Sequence, residues 1–451
     1  MWRTLSARLL YPLAERHQRR QIRDKARLVA EHMRLSLRER KPLIQAQLAA
    51  SLERAGCDVP YYRDLFRLIG FNPTRIARDI DYLQDLPYLT KDIIREQGDR
   101  LLSQRFDRGQ LHVRKTGGST GPSTLIYYSA EALDWTAAVN VVSLDWAGKP
   151  RHAREAHLAS RFPETFPWRD RLKETCKCLA LNRQNIFTAA VDSAGLDRAW
   201  RRLRRVRPHV LQGHPSTVYA LAVHLRERGI NARHAIRVFE STGEVLDAKK
   251  RAAIESVFAC RAIDRYGNAE FGVLAYEHID SADQQLRVFD CIAWPEECRH
   301  ENGTRELVFT ALQNDAMPLI RYRTGDMADL ECQEDGFHVR NIVGRMHDVV
   351  EIAGQRYLTH YLQDLLDRIG GIDEFQIEQR LHKPLLRLVV VDGEQRAVVA
   401  QRLAAWWGDA VEIEFTDFGG LTRGGWRSKF RYLVDSASPD SAGVDTNRAA
   451  A

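Results

Sequence analysis

Between residues 207 and 272 the chain alternates short apolar runs, polar turns and helix-patterned segments, and this rhythm constrains the fold more than any other feature. Arg207-Pro208-His209-Val210-Leu211-Gln212-Gly213-His214-Pro215-Ser216 reads as a strand ending in a turn, with Ser216 placed to cap a helix over 217–228. A β-rich run over 235–239 follows, then the turn Glu240-Ser241-Thr242-Gly243-Glu244 and a helix over 247–258. Repetition of strand, turn and helix predicts parallel α/β layers. Ligands in such layers sit where strand ends feed helix starts, so His214 and Ser216 are candidates to line a pocket. His214 reads equally well as a plain turn residue.

A second constraint is Arg114-Lys115-Thr116-Gly117-Gly118-Ser119-Thr120-Gly121-Pro122-Ser123. Positions 116–123 hold three glycines and four hydroxyl residues. With so little side-chain bulk, successive backbone N–H groups can turn toward one anion while hydroxyls close around it. The stretch suits a phosphate cradle, and it suits a small-residue surface loop between two strands as well. It is not a G-x-x-x-x-G-K-[ST] loop, because that spacing and its lysine are absent.

Bulk properties narrow the class. A chain of 451 residues with 44% hydrophobic content can bury a large core and a second domain. The net charge of +7 is compatible with an anionic ligand and too diffuse to argue for nucleic acid. Seven cysteines at 57, 176, 178, 260, 291, 298 and 332 lack the C-x-x-C spacing of a zinc or redox motif, and read as reduced thiols of a cytoplasmic protein. No stretch approaches the roughly 20 apolar residues of a membrane span. The arginine-rich segment 15–50 has helical spacing and reads as a packed amphipathic helix.

Further along the chain, Tyr266-Gly267-Asn268-Ala269-Glu270 pairs an aromatic ring able to stack on a planar base with Glu270, a hard oxygen donor suited to Mg2+. Short alternating segments over 273–320 predict an antiparallel unit. In Tyr322-Arg323-Thr324-Gly325-Asp326, an acidic side chain after a Thr-Gly turn can accept both hydroxyls of a ribose. Gly344-Arg345-Met346-His347-Asp348 precedes a small α+β pattern, with helices over 359–369 and 394–407 and strands over 375–380, 385–391 and 411–415. That pattern ends in Gly424-Gly425-Trp426-Arg427-Ser428-Lys429, and the small, polar residues after 435 read as a disordered tail.

In this order the elements resemble those of the adenylate-forming enzymes: the Thr-Gly-Gly-Ser-Thr-Gly loop, a Y-G-x-T-E element with Ala269 for threonine, an unchanged Y-R-T-G-D element, a G-R-x-D-D hinge with His347 at the usual first aspartate, and a late lysine. The upstream segments Pro60-Tyr61-Tyr62-Arg63 and Leu86-Pro87-Tyr88-Leu89-Thr90-Lys91 resemble the phenylacetate-coenzyme A ligase branch and its capsule-biosynthesis relatives.

The resemblance implies an α/β protein with a large layered N-terminal adenylation domain over 1–345 and a small, mobile α+β lid over 346–435. It implies attack of a substrate carboxylate on the α-phosphorus of ATP, then transfer of the acyl group, most simply to coenzyme A. Nucleotide contacts would come from Thr116, Gly117, Gly118, Ser119, Thr120, Gly121, Glu244, Tyr266, Gly267, Asn268, Asp326 and Arg345. Glu270 would hold Mg2+, Lys429 would be catalytic, and His347 and Asp348 would form the hinge. An acceptor other than coenzyme A in polysaccharide synthesis, or a nucleotide-binding subunit without turnover, are the alternatives the departures at Ala269, Pro122 and His347 leave open. A homodimer is one arrangement the sequence admits.

Overall fold

The structure, a computed structural model, describes residues 11–116, 124–159, 168–187, 191–301, 303–345, 349–380, 382–424 and 429–435. The expected contacts of Gly117, Gly118, Ser119, Thr120 and Gly121, the hinge pair His347 and Asp348, and the tail from 436 lie outside these residues. The chain forms two compact units, one of Met1–Arg154, Thr175–Asn182 and Arg261–Val343, the other of Glu155–Glu174, Arg183–Cys260 and Gly344–Ala451.

In the first unit, helices gather on a seven-stranded sheet. Ser36 and Glu39 form a reciprocal capping box that starts helix Leu37–Asp58, whose buried Ile44, Leu48 and Leu52 supply one wall of the core. Helix Pro60–Ile69 begins with proline in its first turn and ends at Gly70, whose φ of 67° is the left-handed conformation glycine adopts at least cost. Thr90 caps helix Lys91–Gln97, accepting from Ile93 N at 3.3 Å, as its sequence predicts.

The sheet runs in the order Ala293–Arg299, Arg305–Ala311, Tyr322–Gln333, Gly336–Arg345, Leu286–Val288, Gly272–Glu277 and Arg265–Asn268. Its antiparallel pairings agree with the alternation read over 273–320. Leu89 is laid beside the Tyr322 strand by two backbone bonds, Leu89 N to Arg321 O at 3.0 Å and Arg323 N to Leu89 O at 2.9 Å. Two distant stretches of sequence are thereby fixed to the start of one strand.

The second unit holds the parallel layer that the rhythm predicts. Its strands run Arg183–Phe187, Glu155–Ala159, Val210–Gly213 and Val238–Ser241, each adjacent pair parallel. Helix Ala248–Phe258 is capped by Asp247, which accepts from Lys250 N at 2.8 Å.

Helix Pro215–Glu227 corrects one expectation. It begins at Pro215 with His214 as its cap residue, so Ser216 lies inside the first turn and is not the cap. Proline fills the first helical position, and the amide of Ser216, which has no acceptor within the helix, is satisfied by Glu244 Oε2 at 3.0 Å, 28 residues away and announced by no local pattern.

The rest of the second unit is a four-stranded sheet in the order Glu412–Phe415, Leu385–Val390, Ile372–Gln379 and Leu433–Asp435, with helices Thr359–Ile369 and Arg396–Trp407. Tyr219 of the buried helix donates to Asp373 Oδ1 at 2.9 Å. Lys250 is fully buried between Asp247 at 2.8 Å and Glu374 at 3.1 Å. The seven cysteines form no disulfide.

The first unit encloses a dry ion pair: Arg40 and Asp290 are both 0% exposed and 2.7 Å apart. Removing one partner strands the other charge in the core, at a cost of about 3–5 kcal/mol. Asp290→Ala is therefore expected to lower unfolding free energy by that amount in urea titration.

Candidate active site

Two five-residue turns of the first unit meet here, each beginning with tyrosine and ending with a carboxylate. From Tyr266-Gly267-Asn268-Ala269-Glu270 the phenol of Tyr266 donates to Asp326 Oδ2 at 2.9 Å; from Tyr322-Arg323-Thr324-Gly325-Asp326 the phenol of Tyr322 donates to Glu270 Oε1 at 2.8 Å. The two turns brace one another crosswise. In the sheet, Arg265–Asn268 stands four places from Tyr322–Gln333, so the sheet curls to bring these strands within hydrogen-bonding reach.

Local chemistry sets each turn. At Gly267 a Cβ would come within 2.3 Å of Gly272 O, so the strand bulges only with glycine there. Asn268 Oδ1 accepts from Phe271 N at 2.9 Å, a side-chain cap that closes the turn holding Glu270. Gly325 has φ of 78°, Thr324 Oγ1 donates to Leu307 O at 2.8 Å, and Asp326 N donates to Thr324 Oγ1 at 3.1 Å. Burial and the neighbouring Asp326 charge hold the Tyr266 phenol well above its usual range, which keeps it a donor.

Glu270 is buried, with the Lys91 ammonium 3.9 Å from Oε1. The Tyr128 hydroxyl donates to Ala269 O at 2.8 Å and also to Glu270 O. Tyr128 ends the hairpin of His112–Lys115 and Leu125–Tyr128, from whose far end the Gly/Ser/Thr loop emerges. Thr116 and Thr124 close the neck of that loop: Thr116 N donates to Thr124 O at 2.9 Å, and Thr124 N donates to Thr116 Oγ1 at 3.0 Å. Four residue steps along the strand, roughly 13 Å, take the chain from Thr124 to Tyr128.

The second unit gathers another group of expected residues. Glu244 receives Ser216 N at 3.0 Å and Phe430 N at 2.8 Å, with His214 Nδ1 3.8 Å away. His214 Nδ1 is also 2.8 Å from Thr242 O. Arg423 donates to Thr217 Oγ1 at 2.9 Å and to Ser216 Oγ at 3.3 Å. The backbone of Lys429 is thus carried on a two-residue strand whose next amide is anchored to Glu244. Arg345 ends the strand Gly336–Arg345. His214 and Ser216 are buried.

Motif reading passed over Lys91, Tyr128 and Arg423. Lys91 had a signal, its place in the Leu-Pro-Tyr-Leu-Thr-Lys segment; Tyr128 and Arg423 had none, since only the curl of the sheet and the packing of 423 on the 215–217 turn give them partners.

The chain is similar over most of its length to known proteins. No protein-family model matches the chain. Protein CapK of Staphylococcus aureus is 23% identical over 308 residues, covering 66% of each chain. Phenylacetate-coenzyme A ligase of Pseudomonas putida is 23% identical over 412 residues, 84% of this chain and 90% of that one, and the Thermus thermophilus ligase of the same name is 25% identical over 359 residues, 73% and 78%. Among solved structures, 2-hydroxyisobutyryl-CoA ligase in the postadenylation state superposes with a TM-score of 0.68 at 19% identity, covering 88% of this chain and 90% of that one. The fold is that of the adenylate-forming acid–coenzyme A ligases. The expected fold class, α/β with parallel and antiparallel sheets and a smaller α+β part near the C-terminus, stands. Among the described residues, no helix is long and apolar enough to cross a membrane.

Burial alone would raise the pKa of Glu244, but His214, Arg423 and the Ser216 bonds overcome it and hold the group below the ordinary glutamate value of 4.5. A carboxyl depressed on folding stabilises the native state above its unfolded value and loses that contribution as pH falls through the folded value. The stability gap between wild type and Glu244→Gln, about 1–3 kcal/mol, should therefore be present at pH 5 and close progressively below pH 4.5 in acid–urea unfolding.

Proposed function

We propose that the chain is an AMP-forming ligase that activates a carboxylic acid with ATP and passes the acyl group to the thiol of coenzyme A. The observation that carries this reading is the crossed pair of phenol–carboxylate bonds, which brings Glu270 and Asp326 together beside the stem of a loop composed for phosphate. The names of the phenylacetate-coenzyme A ligases and of the superposed 2-hydroxyisobutyryl-CoA ligase support the acceptor.

Asp326 receives ribose hydroxyls in addition to the Tyr266 phenol, since a carboxylate accepts about four hydrogen bonds. The amides of Gly117, Gly118 and Gly121 and the hydroxyls of Thr116, Ser119 and Thr120 hold the phosphates, and Arg345 reaches ribose or phosphate. Glu270 fits one contact to Mg2+: it is a hard oxygen donor, and Tyr322 and Lys91 both lie on its Oε1, so Oε2 is the atom offered. Glu270 would hold the ion there, and the charge it supplies would offset that of the phosphates.

A substrate carboxylate oxygen bonds to the α-phosphorus as the bond to pyrophosphate breaks. The acceptor sulfur then bonds to the acyl carbon as AMP leaves. No covalent enzyme intermediate forms, so the chain contributes orientation and fixed charge. Lys429, an ammonium on a flexible stem, meets the acid and the α-phosphate as charge moves between them. The division into 1–345 and a 346–435 lid, turning at His347 and Asp348, belongs to this reading, as does an acid pocket near His214 and Ser216.

Acid-dependent exchange of labelled pyrophosphate into ATP, run across a panel of aryl, hydroxy and sugar acids, tests the first half-reaction. Lys429→Ala should lower exchange at least a hundredfold with ATP binding retained, and Glu270→Gln should raise the Mg2+ concentration needed. Absence of exchange with every acid, despite ATP binding, would make the chain a nucleotide-binding subunit.

A further inference from the structure

Glu306 lies in the strand Arg305–Ala311, is 1% exposed, and uses both oxygens on the turn that carries Asp326. Its Oε1 accepts from Gly325 N at 2.8 Å. Its Oε2 accepts from Arg323 Nε at 2.8 Å and Nη2 at 2.6 Å. The register explains the need. Glu306 pairs with Met327 and Val308 with Arg323, so two steps on one strand oppose four on the other. Thr324, Gly325 and Asp326 therefore face Leu307 alone, an excess of two residues, and a bulge of that kind keeps one shape only if something outside the ladder holds it.

Two holds are present. Thr324 Oγ1 ties the middle of the bulge to Leu307 O, and Glu306 grips the residue on either side of Thr324. Asp326 is the next residue, and its own amide is bound to Thr324 Oγ1. His300 Nε2 is 3.0 Å from Glu306 Oε2, and Cys298, His300 and Glu306 bring their heteroatoms within 4.8 Å of one another. Metal chemistry does not follow from that cluster, because the Arg323 guanidinium already forks onto the carboxylate and neutralises it.

We propose that Glu306 is a positioning residue for the nucleotide ribose, setting the angle at which Asp326 meets the ribose hydroxyls by clamping Gly325 and Arg323. The proposal rests on the nucleotide reading given above and deepens it. Glu306 touches no ligand. Its effect passes through the backbone of the bulge.

The readout is discrimination between ATP and 2′,3′-dideoxy-ATP, measured as the ratio of their dissociation constants by calorimetry on the full chain. Wild type should favour ATP by about tenfold or more, the worth of a carboxylate–hydroxyl contact. Asp326→Ala should bring the ratio near one. Glu306→Ala should do the same while weakening dideoxy-ATP little, whereas Glu306→Gln, which keeps an oxygen for Gly325, should fall between. General loosening of the fold would weaken both nucleotides and leave the ratio unchanged. If Glu306→Ala fails to fold, the isosteric Glu306→Gln decides alone, a ratio equal to wild type overturning the proposal. A wild type that binds neither nucleotide overturns the ligase reading itself; one that discriminates while both Glu306 variants discriminate equally well overturns only the role of Glu306.

Discussion

Burying a carboxylate is costly unless it is hydrogen-bonded, and the buried Glu270 and the half-buried Asp326 lie within one small region of the first unit. The chain meets that cost with tyrosines placed four residues before each acid and exchanged between turns. Tyr266 serves the acid of the other turn and Tyr322 serves the acid of the first. Neither turn is complete alone, so the curl of the sheet, the packing of Phe271 and Phe309, and the laying of Leu89 along Arg321 and Arg323 are consequences of bringing them together.

Much of this was legible because it is local. The alternation over 273–320, the cap at Thr90 and the helix, strand and helix order after 353 depend on neighbours in sequence, and the structure follows them to within a few residues. Both acidic turns announced themselves through glycine and asparagine at positions that only those residues occupy cheaply. What stayed hidden is non-local. Ser216 looks like a cap because serine before an apolar helix usually is one, but the acceptor arrived from Glu244. Glu155–Ala159 and Arg183–Phe187 are likewise five-residue strands without alternation, set by parallel pairing with distant residues; the second lies at the edge of its sheet with only Ile186 buried, so no local period marks it.

Partner chemistry separates framework acids from the two in the site. Asp290 is paired with Arg40, Glu296 with Arg321 and Glu306 with Arg323, each an ion pair in which a guanidinium faces the charge. A phenol does something else. It satisfies one lone pair and fixes the rotamer, yet carries no charge of its own, so the field of the carboxylate survives the bond. Burial keeps the Tyr266 phenol protonated, which makes that neutrality durable across ordinary pH.

The same reasoning gives Lys91 its place. An ammonium 3.9 Å from Glu270 Oε1 is too far for a strong hydrogen bond and near enough to lower the cost of a buried negative charge. Its helix is aimed by the Thr90 cap and by Leu89, whose backbone is fixed to Arg321 and Arg323. A cation held at that distance by backbone ties stabilises the carboxylate in the absence of a ligand without occupying both of its oxygens. On the nucleotide reading proposed above, the two acids are thus kept charged, oriented and partly neutralised, the condition under which fixed groups act on a reacting phosphate without having to reorganise.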